Sequence, residues 1–310
     1  MNTPASEAEL VRRFRSFFPE EGRHVHRWGG EDAARIAPHG GETVACVDLL
    51  VEDVHFRLDW GAPEALGYKS VAVNYSDLAA CGAEPVYIML GLAAPPTFLH
   101  DQMDQFYAGI RRALDTWGGE FAGGDYTRAG KVFISLSAVG VLAEGVPFWT
   151  RAGARPGDHI YLSGTPGRAA LALGRLLAGE RHGVEAQLAP DPPLAASRWL
   201  RTNAVPVGGC CDTSDGLSTS LHLLAAESGC RLVLDTAALP LPDGPDSLPL
   251  ALGGGEDYGL LFTTPEPLAT ERCRRESGTL LTLVGRCMAG SGVTDTAGRV
   301  IPDSGYDHLR

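Results

Sequence analysis

The sequence predicts an α/β chain of the α+β type, built as two mixed domains. Three observations predict it. Apolar runs of strand length alternate with segments of helical period in both halves. The 39 Gly and 21 Pro supply the tight turns that many short elements need. A change of composition falls at Glu144–Pro147, so 1–145 and 146–310 are read as the two domains of the 310-residue chain.

The elements follow in order. Residues 6–18 read as an amphipathic helix, capped by Ser6 with Glu9 three residues on. A Gly turn at Gly29–Gly30 leads to a short strand near Ile36. Thr43–Val47 reads as a strand ending at Asp48, with a partly extended loop from Leu49 to Phe56. Pro63 suits the first turn of a helix that should run to about Tyr75 and break there. On that reading Asp77 opens the next apolar turn as a helix-start carboxylate, either a cap or a ligand. Pro85–Ala93 is apolar enough for a buried strand, and 99–117 carries Phe106, Ile110 and Leu114 on one side of a helix. Gly123–Gly124–Asp125 reads as a turn, and Val132–Val141 as a strand.

In the second half, Asp158–Ser163 reads as a strand and Pro166–Ala178 as a helix, with another helix near 193–203. Ser214–Asp215–Gly216 precedes a helix to Ser228, and Arg231–Asp235 is a strand. Leu239–Pro249, with four prolines, reads as an exposed loop. Leu260–Thr263 is a strand, and a last helix and strand end near Gly285.

Composition excludes several function classes. A net charge of −12 argues against broad binding to nucleic acid or anionic membranes. No apolar run reaches transmembrane length, and the Met1–Asn2–Thr3–Pro4 start shows no signal peptide. The seven Cys lack a C-x-x-C pair and read as reduced thiols of a cytoplasmic protein. Walker-type, G-x-G-x-x-G, G-x-S-x-G and H-E-x-x-H motifs are all missing. What recurs is Asp in a small-residue setting: Asp32, Asp48, Asp77, Asp125, Asp212, Asp215 and Asp257. Carboxylates beside glycines suit Mg²⁺ and phosphate, because the metal takes a few carboxylates plus phosphate oxygens and glycine lets backbone amides come close.

The order and spelling of these motifs are similar to those of thiamine-monophosphate kinases, in the superfamily of aminoimidazole ribonucleotide synthetase and selenophosphate synthetase. The resemblance rests on Gly30–Glu31–Asp32–Ala33–Ala34, on Asp48 with His55–Phe56, on Ser76–Asp77–Leu78–Ala79–Ala80, and on Gly123–Gly124–Asp125. Arg151–Ala152–Gly153–Ala154, Ser214–Asp215–Gly216–Leu217, Gly254–Gly255–Glu256–Asp257–Tyr258 and Gly305–Tyr306–Asp307–His308 extend it along nearly the whole chain.

The resemblance implies transfer of the ATP γ-phosphoryl group to thiamine monophosphate by direct Mg²⁺-assisted in-line displacement. It implies that Asp32, Asp48, Asp77, Asp125 and Asp212 converge on Mg²⁺, with Asp215 at an outer metal, and that Asp48, Asp77, Asp125 and Asp212 carry the chemistry. Tyr107, Gly124, Asp125, Arg151 and Ser214 would face ATP; His55, Glu256 and Tyr306 would face the thiamine moiety. It also implies a homodimer formed through the N-terminal sheet. Taken singly, His55 reads equally as a hydrogen-bonded loop residue, Tyr107 as core, and Arg151 as a surface ion pair.

The chain departs from the family pattern in places. Cys46, Val47 and Leu49 stand where hydroxyl residues usually flank the second-motif Asp, and Glu31 where an Asp is usual. Gln187–Leu188–Ala189–Pro190 replaces a stretch that normally carries arginine, and Gly259 replaces an acid. Two other readings follow: a related ATP-dependent enzyme with a different acceptor, and a non-catalytic Mg-ATP-binding paralogue.

Overall fold

A computed structural model describes residues 16–18, 21–27, 33–244 and 246–307. Of the helix expected over 6–18 only residues 16–18 are described, and they form a turn instead of helix; the Gly30–Asp32 motif lies outside the described residues. The chain forms two compact units. One holds the chain to Leu78 together with Ala83–Gly145; the other holds Ala79–Gly82 and everything from Val146.

The first unit is built on a four-stranded sheet of β3 (Glu42–Val51), β4 (Glu84–Ala94), β5 (Glu120–Arg128) and β6 (Phe133–Leu142). Its order is β3-β6-β4-β5, antiparallel except for the β4–β5 pair. A small ribbon of β1 (Val25–Arg27) and β2 (Arg35–Ile36) forms a sheet of its own, tied to β5 by the Glu120 carboxylate, which accepts the Val25 amide hydrogen at 2.7 Å. Strand alternation splits the sheet into unlike faces. Val44, Leu50, Ile88, Leu90, Ile134 and Leu136 are buried on one face. On the other, Val47 is 59% exposed and Leu49 61%, with Met89 and Phe133 beside them in register.

Helix Pro63–Ala80 belongs to the buried face: the Cys46 thiol reaches the Asn74 carbonyl at 3.3 Å. This helix does not break at Tyr75 as expected. It runs through Asn74, Ser76 and Asp77 because the polar side chains before them are satisfied within it. Ser70 Oγ donates to the Gly67 carbonyl at 2.7 Å, and Asn74 Nδ2 to the Ser70 carbonyl at 3.1 Å. Asp77 therefore sits in the helix body, and the helix-start reading is wrong. The expected helix over 99–117 is two, Pro96–Asp101 and Met103–Trp117.

Two more expectations of loop fail here. β3 continues past Asp48 to Val51, and Gly123–Gly124–Asp125 lies inside β5. Gly124 serves close strand approach and Gly123 a positive φ of 98°, instead of a turn. A Cβ on Gly124 would lie 1.9 Å from the Leu90 carbonyl oxygen, where the β4–β5 register shifts.

The second unit has a six-stranded sheet of β7 (His159–Ser163), β8 (Cys210–Asp212), β9 (Arg231–Leu234), β10 (Leu260–Thr264), β11 (Leu281–Met288) and β12 (Val293–Asp295). Its order is β12-β9-β11-β7-β10-β8, and only β9–β12 is parallel. Both faces are covered, so β7 and β10 are buried along their whole length. Ile160, Leu162 and Leu261 pack with Leu217, Leu221 and Leu224 of helix Leu217–Ser228. Tyr161, Leu260 and Phe262 pack on the other side with Trp199 and Leu200 of helix Leu194–Thr202. Helix Ser247–Gly253 begins inside the stretch expected to be a loop, and β12 lies beyond the expected last strand. All seven cysteines are free. Among the described residues no helix is long and apolar enough to cross a membrane.

Candidate active site

The first unit presents Asp48 and Asp77 from one side of its sheet. Asp48 pairs with Leu136 of β6, so it shares the helix-covered face with Cys46. Cys46 touches Asn74, less than one helical turn before Asp77. Both carboxylates are half-buried. Val47 and Leu49 alternate to the opposite face, so hydroxyls missing there cost the Asp48 side nothing; Cys46 alone shares it. Asp125 differs. It pairs with Gly91, whose other neighbour is Ser135, on the open face of the sheet.

His55 is held in the turn after β3. Its Nδ1 accepts the Val51 amide hydrogen at 3.1 Å, which puts the proton of the neutral ring on Nε2. Tyr107 is a core residue. Its ring packs edge-on against Phe18, Phe106 and Phe121, and burial pushes its hydroxyl well above the usual tyrosine range.

The second unit gathers five of the expected residues around one turn. β8 ends at the buried Asp212 because Leu260 of β10 is its last partner. Ser214 Oγ donates back to Asp212 Oδ1 at 3.1 Å. The Ser214 carbonyl accepts the Glu256 amide hydrogen at 2.6 Å, and the Asp215 carbonyl accepts that of Tyr306 at 2.9 Å. Asp212, Ser214, Asp215, Glu256 and Tyr306 are thus tied to one loop although Asp212 and Tyr306 lie far apart in sequence. Tyr306 is 54% exposed. Arg151 enters beside β8, since Thr150 bridges Gly209. Burial, and next the Asp212 charge, pushes the Cys211 thiol up to about 12, while Arg151 pulls it down. Cys210 is likewise raised, so neither thiol is a nucleophile at neutral pH.

Asp257 serves the backbone. Its oxygens accept the amide hydrogens of Gly167 and Ala169 at the start of helix Arg168–Leu177. Sequence reasoning missed Gln187, which is buried and donates from Nε2 to Glu256 Oε2. Only its place in an atypical stretch marked it.

The site's chemistry can be compared with that of known proteins. The family model "AIR synthase related protein, N-terminal domain" matches residues 30–142. A thiamine-monophosphate kinase of Prochlorococcus marinus is 34% identical over 280 residues, 84% of this chain and 82% of that one. That of Aquifex aeolicus is 31% identical over 293 residues, 90% of this chain and 92% of its own. The chain belongs to the thiamine-monophosphate kinase family. Solved structures agree. Thiamine-monophosphate kinase from Stenotrophomonas maltophilia K279a has a TM-score of 0.84 at 31% identity, covering 94% of this chain and 96% of that one. AaThiL complexed with AMPPCP and TMP has a TM-score of 0.76 at 28% identity, covering 97% and 96%. E. coli HypE, a hydrogenase maturation protein, has a TM-score of 0.77 at 20% identity over 97% of this chain and 98% of that one, and shares the fold.

Among the described residues no three His, Cys, Asp or Glu side chains cluster closely enough to hold a metal by themselves. The donor set still fits Mg²⁺, which takes one or two carboxylates and completes its shell with phosphate oxygens and water. Asp48 and Asp77 on one face of the first unit, and Asp212 with the Ser214 hydroxyl in the second, are such partial sets.

Proposed function

We propose that this chain transfers the γ-phosphoryl group of ATP to thiamine monophosphate, yielding thiamine diphosphate and ADP. Identity to thiamine-monophosphate kinases over most of the chain carries the reading. The turn that joins Asp212, Ser214, Asp215, Glu256 and Tyr306 supports it, because it combines phosphate-type and organic-type contacts on one rigid loop.

Bringing two phosphate groups together costs electrostatic repulsion, so the site must neutralise and align them. When bound, Mg²⁺ would supply that neutralisation. Asp48, Asp77 and Asp212 would be metal ligands, with Asp215 at an outer metal and Asp32 added from outside the described residues; Asp125, on the opposite face of its sheet from Asp48, would not share a metal with it. Gly124, Arg151 and Ser214 would face ATP. Tyr107 would support β5 from beneath, through Phe121, without touching the nucleotide. His55, Glu256 and Tyr306 would hold the thiamine moiety, His55 through its Nε2–H and Tyr306 through its ring face. No side chain is required as a covalent carrier: the γ-phosphoryl group moves directly to the acceptor phosphate as the bond to ADP breaks.

The protein works as a homodimer in the cytoplasm. The open apolar face around Val47, Leu49, Met89 and Phe133 supports the dimer, and seven free cysteines suit a reducing compartment. The deciding experiment is incubation with ATP, Mg²⁺ and thiamine monophosphate, followed by mass analysis. Thiamine diphosphate is the expected product. ATP consumption without it would sink the reading.

A further inference from the structure

Gln187 occupies an uneconomical position. It lies on the single helical turn Glu185–Leu188 and is only 2% exposed. Its amide orientation is fixed by chemistry: only the NH₂ group can donate to a carboxylate, so Nε2 faces Glu256 Oε2. That leaves Oε1 buried, and it meets no hydrogen-bond partner among the described residues. A methionine or leucine of similar bulk would fill the space without burying an unmet acceptor, so packing does not account for a glutamine.

Glu256 explains it. Its backbone has φ of 64°, in the left-handed region. It is clamped there from both sides: its own amide donates to the Ser214 carbonyl, and the next residue, Asp257, is tied to Gly167 and Ala169. The Cα of Glu256 is therefore fixed, but a glutamate side chain has three further torsions. The Gln187 amide is the contact that selects among them. A cavity of about 660 Å³ is lined by chain neighbours of this pair, Glu185, Ala186 and Ala189 beside Gln187 and Asp257 and Tyr258 beside Glu256, together with Thr213.

We infer that Gln187 is a positioning residue for the organic part of the acceptor, holding the Glu256 carboxylate in the one orientation that meets thiamine monophosphate. The inference rests on the reading of Glu256 as a thiamine-monophosphate contact. Charge-assisted hydrogen bonds from buried donors restrict a carboxylate more strongly than packing does.

Gln187→Met keeps the bulk and removes the amide; Gln187→Asn keeps the amide and withdraws it by one methylene. The measurements are KM for each substrate, kcat, calorimetric binding of thiamine monophosphate without ATP, and Tm. Both variants should raise KM and Kd for thiamine monophosphate about tenfold, the scale of a lost hydrogen bond to a charged group. KM for ATP should stay unchanged, and Tm of Gln187→Met should not fall. In a Glu256→Gln background, Gln187→Met should add nothing further. A lower Tm with both KM values altered alike would make Gln187 a structural residue and overturn the inference, as would unchanged acceptor binding in both Gln187 variants. If Glu256→Gln itself leaves acceptor binding unchanged, the underlying reading of Glu256 fails. If it weakens binding while the Gln187 variants do not, only the positioning role fails.

Discussion

Asp257 accepts the Ala169 amide hydrogen at 2.9 Å, so the Gly-rich loop before β10 is pinned to the amino end of a helix some way earlier in the chain. Burial pushes its carboxyl up to about 6, against the opposing pull of the Ala169 and Gly167 amides and the Arg168 charge. Its unfolded value is near 3.8, so between these pH values the folded chain holds a proton that the unfolded chain has released. Stability contributed by this group is therefore lost as pH rises through that window. Asp257→Asn should flatten the slope, seen as urea midpoints measured from pH 4 to 7 (about the window named). Parallel pH profiles for both proteins would rule this account out.

Asp77 lies in the body of helix Pro63–Ala80, so it makes no cap whose loss could unfold the unit. Asp77→Asn should leave the circular dichroism and Tm nearly unchanged. Mg²⁺-dependent turnover should fall by roughly two orders of magnitude, typical for losing one electrostatic contact to transferring phosphate. Undiminished turnover would show the carboxylate is not a ligand.

On the open face of the first sheet, Val47 and Leu49 sit one strand from Phe133 and two strands from Met89. Charges there would have to be desolvated in any dimer that uses this face. Val47→Asp with Leu49→Asp should shift sedimentation from dimer to monomer at micromolar concentration, with each protomer still folded. A wild-type protein already monomeric at that concentration would remove the dimer.

Tyr306 is held by its backbone to Asp215 and is 54% exposed. Tyr306→Ala should weaken thiamine monophosphate binding about tenfold, the order of a cation–π contact with the thiazolium, and leave ATP alone. A loss that fell on ATP instead would reverse the assignment of roles.

With γ-labelled ATP, no label should remain on protein denatured during turnover. The buried thiols of Cys210 and Cys211 are held protonated, and the Ser214 and Ser220 hydroxyls donate to Asp212 instead of to a base that could activate them. Acid-stable or acyl-phosphate label on the chain would contradict direct transfer.

Strand β10 was legible because both its faces are buried and a continuous apolar run leaves no other choice; β4 was legible from its apolar run although Met89 lies on the open face. Helix Pro63–Ala80 was misread because its code is tertiary. It is buried nearly all round, so it has no amphipathic period, and Asn74, Ser76 and Asp77 look like breakers until their surroundings are known. Gly123–Gly124 read as a turn for a related reason: glycine marks close backbone approach as readily as reversal, and only the facing strand distinguishes them. The acidic motifs identified candidate residues from spelling alone. They could not reveal that Asp125 and Asp48 belong to opposite faces of one sheet, which depends on register, or that Asp257 serves a helix instead of a ligand.

Glu256 and Tyr258 both hold backbone angles that glycine would adopt at ease, with φ of 64° and 49°. A chain selected only for thermal endurance would drift toward glycine at Glu256, gaining on the order of 1 kcal/mol by relief of the left-handed penalty, but not at Tyr258, whose buried ring would leave a cavity costlier than that gain. Directed evolution under heat alone should therefore erase the acceptor contact proposed for Glu256 before it harms the fold. Retention of the glutamate then becomes a record of selection for turnover, readable at a single codon.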